Sequence, residues 1–102
     1  MKSLSELRKM TTSALESTVL FEVETNTDTD GGWYFNHLDE AYIYLSRVLK
    51  AQTNTKLFEC DDFDKIDYIR LSIHFVDKPT EILPLVQYTR KSDTEFIETE
   101  LL

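Results

Sequence analysis

The sequence predicts a two-layer α+β domain, an antiparallel sheet of about four to five strands packed against two helices in the order α-β-α-β-β-β. Three observations carry that expectation. Apolar residues recur near every fourth position in two stretches, and every second position elsewhere. The alternating stretches of the second half are joined by connections that suit antiparallel neighbours and are too short for a parallel crossover. Glycine and proline number only two each, so little of the chain reads as linker or low-complexity tail.

The elements follow in order. Ser3-Leu4-Ser5-Glu6 fits a capping box, in which the serine hydroxyl and the glutamate carboxylate each satisfy an otherwise unpaired amide. Leu4, Leu7, Thr11, Ala14 and Leu15 then share a stripe, which places a first helix over residues 4–15. Thr11 and Thr12 weaken it, because β-branched side chains lose rotamer freedom in a helix. Thr18–Thr25 changes to period two, with Val19, Phe21 and Val23 on one face, and reads as a half-buried strand. After the polar stretch TNTDTDGG, Trp33, Tyr34 and Phe35 are expected to carry the chain back to the core, and Asn36 to cap a second helix. Asp39 and Glu40 suit its first turn, Lys50 its last, and Leu38, Ala41, Leu45, Val48 and Leu49 its buried stripe.

Lys56–Cys60 is expected to form a short strand. Asp67–Asp77 is the clearest strand, with Ile69, Leu71, Ile73 and Phe75 facing in and Arg70, Ser72 and His74 facing out. Lys78-Pro79-Thr80 makes the turn, and Glu81–Arg90 returns antiparallel. Pro84 has no amide donor, so that strand lies at an edge or carries a bulge. Glu95–Leu101 supplies a last short strand.

With 102 residues, the length suits a single compact domain spanning 1–102, able to bury roughly two-thirds of its unfolded surface without staples. The formal charge of −8 repels phosphate backbones and anionic lipid, so direct nucleic-acid and membrane binding are disfavoured and a basic protein partner is favoured. A lone cysteine, Cys60, excludes an intramolecular disulfide. The apolar runs are too short for a membrane span, and MKSLSELRKM carries charges where a secretion signal is apolar. The expected location is the reducing cytoplasm.

The segment TNTDTDGGWYF opens with the rhythm of a calcium loop: Asn26, Asp28 and Asp30 alternate with threonines before Gly31. The template also needs a bidentate glutamate at its twelfth position, which here is His37, and a helix before the loop rather than a strand. The same letters suit a turn, where Asp and Asn bond their own backbone and the glycines supply positive φ. No zinc-ligand spacing occurs, and the only glycines are adjacent, which excludes phosphate-cradling loops. Cys60 and His74 are the one potential nucleophile–base pair, each with a plainer role as a packing or sheet-face residue. No pair of the nineteen carboxylates stands out for acid–base work. An enzyme is not expected, nor any cofactor or metal.

The informative constellation is acidic. Glu59, Asp61, Asp62, Asp64 and Asp67 are relieved only by Lys65, with Phe58, Phe63 and Tyr68 interleaved. A second group, Asp93, Glu95, Glu98 and Glu100, surrounds Phe96 and Ile97. Carboxylates spaced along a surface imitate a phosphate backbone, and interleaved aromatics supply the anchors an interface needs. On the second helix Tyr44, Arg47 and Glu40 are expected to face away from the core. These features suggest an acidic inhibitor or immunity-type protein, such as a phage anti-defence protein or a nuclease-toxin immunity protein. It would block a basic nucleic-acid-binding enzyme or toxin by nucleic-acid mimicry, through Glu59, Asp61, Asp62, Phe63, Asp64, Asp67 and Tyr68. The alternatives are an assembly subunit or homodimer pairing through a sheet edge at Glu81–Arg90 or Glu95–Leu101, and a small enzyme or calcium-binding module.

Overall fold

The computed structural model describes residues 1–14, 17–28 and 31–102. Along the chain run α1 (Leu4–Thr11), β1 (Val19–Thr25), β2 (Trp33–Phe35), α2 (Leu38–Gln52), a short 3-10 helix (Thr55–Glu59), β3 (Tyr68–Phe75), β4 (Ile82–Ser92) and β5 (Glu95–Glu100). The five strands form one antiparallel sheet in the order β2-β1-β3-β4-β5. Both helices cover the same face, so the architecture is the expected α+β pair of layers.

Register explains which side chains meet the helices. Phe21 pairs with Ile73 and Val23 with Leu71, so one alternating set from each strand points the same way. Those residues are buried together with Leu38, Ala41 and Leu45 of α2 and with Leu7 of α1. Each such Leu, Ile or Phe contributes about 1.5–3 kcal/mol by leaving water. α1 begins as expected: the Ser3 hydroxyl accepts from the Glu6 amide at 3.2 Å, and the Glu6 carboxylate accepts from the Ser3 amide at 3.3 Å. Its end shows the threonine effect, since the Thr11 and Thr12 hydroxyls both donate to the Arg8 carbonyl at 3.1 Å, and the helix stops there. Leu15, expected on the same stripe, lies outside the described residues.

Several local expectations are corrected. Lys56–Cys60 is not a strand. Asn54 accepts from the Lys56 amide at 3.2 Å and turns the chain into the 3-10 helix, leaving Cys60 exposed. The N-cap of α2 is His37 rather than Asn36, and its side chain makes no capping bond. Trp33–Phe35 forms a strand, but Trp33 is 62% and Tyr34 49% exposed, and only Phe35 turns partly inward. Tyr44 does not face away: its ring is half-buried, 5.4 Å from that of Phe35.

The segment Glu81–Arg90 is not an edge along its whole length: β4 lies between β3 and β5 from Val86 onward, while Pro84 falls before the stretch that β5 pairs and stands beside a bulge. Val86 pairs with Leu71 and Pro84 with Ser72, which leaves Leu85 as the extra residue. The bulge turns Leu85 and Val86 inward together, and both are fully buried. The edges are β2 and β5. No helix among the described residues is long and apolar enough to cross a membrane.

Candidate binding surface

Strand direction gathers three acidic segments at one end of the sheet. β1 finishes there at Thr25, β3 starts there at Tyr68, and the β4–β5 turn lies beside them at Ser92–Glu95. The loop of residues 60–67, the Asn26–Asp28 turn and the Asp93 turn thus become neighbours although they are far apart in sequence.

The 60–67 loop is tied at its backbone. Gln52, buried at the end of α2, donates from Nε2 to the Asp64 carbonyl at 2.7 Å and accepts from the Ile66 amide at 2.9 Å. The Arg90 guanidinium donates to the Ile66 carbonyl at 2.8 Å, to Gln52 Oε1 at 2.7 Å and to the Gln52 carbonyl at 3.1 Å. Its remaining amino group reaches the carbonyls of Ser92 and Asp93 at 3.3 and 3.2 Å. One planar fork therefore joins a helix end, a loop and a hairpin turn, a geometry that lysine cannot reproduce. From the other side, Asn26 Oδ1 accepts from the Asp67 amide at 2.7 Å while its Nδ2 donates to the Asp67 carboxylate at 3.2 Å.

Side chains follow from this frame. The Phe63 ring packs 5.5 Å from that of Phe58, which is capped by Lys65 at 4.7 Å. Lys65 in turn bonds Asp93 and holds its carboxyl below the ordinary aspartate value. Tyr68 leaves the group: it lies on the helix-free face of the sheet, with the Arg70 guanidinium 5.2 Å from its ring centre. Asp67 is engaged by Asn26. Glu59, Asp61, Asp62 and Asp64 are exposed and have no ion-pair partner among the described residues.

Of the calcium-loop candidates, Asn26 is spent on Asp67, and Asp28 Oδ2 accepts from the Thr25 amide at 2.8 Å, closing the turn. Asp30 lies outside the described residues. His37 sits at the start of α2, beyond the far end of β2. Among the described residues, no three His, Cys, Asp or Glu side chains converge as metal ligands do. Cys60 and His74 are not partners, because Cys60 lies on the loop before β3 while His74, near the far end of β3, bonds Glu22.

That Glu22–His74 pair is the feature sequence reading passed over. On the helix-free face, Glu22 Oε1 lies 2.8 Å from His74 Nε2. Glu22 Oε2 accepts from the Gly32 amide at 3.0 Å. Burial works to raise the Glu22 carboxyl, but the bonds from Gly32, His74 and Tyr34 outweigh it and hold its pKa below the ordinary glutamate value. Strand alternation places residue 22 on that face, and nothing local in the sequence shows that a histidine 52 positions away will meet it.

A cleft of about 550 Å³ lies at the opposite end, between α1 and the start of α2, lined by Arg8, Thr12, Phe21 and Leu38 among others. Comparison with known proteins finds no matching family model, no matching curated protein and no matching solved structure.

Proposed function

We propose that this chain is a small acidic binding protein of the inhibitor or immunity type, blocking a basic, nucleic-acid-processing partner. The supporting observation is the run Glu59, Asp61, Asp62 and Asp64: four exposed carboxylates with no ion-pair partner among the described residues. The first closes the 3-10 helix, and the other three stand on the loop whose backbone Gln52 and Arg90 hold at Asp64 and Ile66. A flexible acidic tail loses backbone ordering entropy when it binds, whereas carboxylates carried on a backbone already held in place lose less. In a basic groove they take the place of phosphates. Asp28 and Asp67 lie at the same end and widen the field, which favours fast, salt-sensitive association.

The test is a pull-down from host lysate at low and high salt, followed by titration of the captured protein against wild type and the Asp61→Lys, Asp62→Lys, Asp64→Lys triple variant. The expected result is a basic, nucleic-acid-binding protein whose affinity falls by on the order of 100-fold or more in the triple variant, with a shallower salt dependence. An affinity and salt slope that do not change would overturn the proposal.

A further inference from the structure

We infer that a second copy of this chain docks on the β2 edge, with β2 pairing antiparallel to its own copy and the two α2 helices flanking the twofold axis. The sheet has two edges, and both present unpaired backbone groups that invite another strand. They differ in charge. β5 carries Glu95, Glu98 and Glu100 and no basic residue. Lys91 and Lys2 lie within ion-pair reach of Glu95 and Glu100, yet self-pairing would still set two acidic strands side by side, and like charges across a strand pair oppose association. β2 is Trp33-Tyr34-Phe35, with no charge at all, and its Trp33 ring is mostly exposed.

The flank of α2 above β2 is complementary to itself. Tyr44 lies 6.2 Å from Trp33 and 5.4 Å from Phe35 between ring centres, so it sits level with Tyr34, the middle residue of the strand. Glu40 and Arg47 stand four residues before and three after Tyr44, on the same side of the helix. Neither has an ion-pair partner among the described residues. A twofold axis through the level of Tyr34 sets Trp33 of one copy against Phe35 of the other. The same axis runs the two helices antiparallel, so Glu40 of one copy approaches Arg47 of the other. One operation thus covers the exposed ring and pairs both free charges, as an isologous interface requires. Stable dimers bury roughly 1,600 Å² in total, more than a strand of three residues supplies, so the helix flank is part of the contact. This surface is at the opposite edge of the sheet from the β4–β5 turn and is independent of the carboxylate loop.

Sedimentation equilibrium of the intact chain over a concentration series tests it. The expected result is a concentration-dependent dimer, weakened roughly tenfold or more by Trp33→Ser and by Arg47→Glu. The double variant Glu40→Arg, Arg47→Glu restores the pairing with its charges exchanged. All three positions are exposed, and circular dichroism checks that each variant is folded. A chain that stays monomeric at every concentration overturns the inference, as does a dimer indifferent to Trp33 and Arg47. A monomer that takes up a foreign strand at Trp33, or a dimer strengthened by replacing Glu95, Glu98 and Glu100, also assigns the edges differently and overturns it.

Discussion

Arg90 Nη2 donates to Gln52 Oε1 across 2.7 Å, joining a β-strand near its end to the last turn of a helix 38 positions earlier. Gln52 is buried and uses both ends of its amide, so no rotation of that side chain frees the contact without orphaning the Asp64 carbonyl or the Ile66 amide. The acidic loop owes its fixed course to this pair more than to any residue within it.

Arg90→Ala is therefore expected to destabilise the fold by about 2–3 kcal/mol, since it removes charge-assisted bonds to several carbonyls at once. Amide exchange should accelerate most in residues 60–67. Arg90→Lys keeps the charge without the planar fork and should fall between, which urea denaturation read alongside hydrogen exchange will show.

Reversing the charge of Asp61, Asp62 and Asp64 together should leave stability within about 0.5 kcal/mol of wild type, or raise it slightly. No ion pair is lost at these exposed positions, and mutual repulsion is relieved. A urea midpoint measured on the triple variant checks this and secures the binding experiment against the objection of misfolding.

Glu22 gives the stability a defined dependence on pH. Its carboxyl is held below the ordinary glutamate value, so its contribution is fully present above that value and is lost as pH falls through the lowered one. Around it stand His74, Tyr34 and Ser72, with the Glu24–Arg70 pair on the same face. Glu22→Gln should cost about 1–2 kcal/mol at neutral pH, with the gap to wild type closing as acid protonates Glu22. Unfolding curves for the two proteins across the acid range measure that gap.

The adjacent glycines should respond unequally to alanine. Gly31 has φ +90°, a conformation that costs alanine about 1 kcal/mol. At Gly32 the obstacle is space, since an added Cβ would lie 2.3 Å from the Val23 carbonyl oxygen. Gly32→Ala must push β2 away from β1 or break the bond to Glu22, at about 1–3 kcal/mol or more. Thermal melts of the two variants rank them.

Strands β1 and β3 were legible because each sets its buried apolar residues on one face only, so a period of two in the letters is a direct imprint of the pleat. The helices left their period of near four for the same reason, and the Ser3–Glu6 box marked a start that forms with local bonds alone. The 3-10 helix at Thr55–Glu59 was misread because Leu57-Phe58 is too short a run to show any period. β2 was missed as a strand because a strand of three residues cannot display alternation. The acidic residues were visible as a list, and their likeness to a phosphate row could be posed from spacing.

What the sequence by itself determined is thus whatever is encoded between near neighbours: helix starts, strand faces, the choice of an α+β layering and the sign of the charge. Tertiary structure alone decided which polar residues would anchor the loop, since Gln52, Arg90 and Asn26 act on loop partners 12 to 41 positions away. It also decided that Glu22 would meet His74 and that β4 would carry a bulge beside Pro84 and gain a second neighbour only from Val86 onward. Those outcomes depend on strand order, and strand order follows from the combined burial of all the apolar faces rather than from any local pattern.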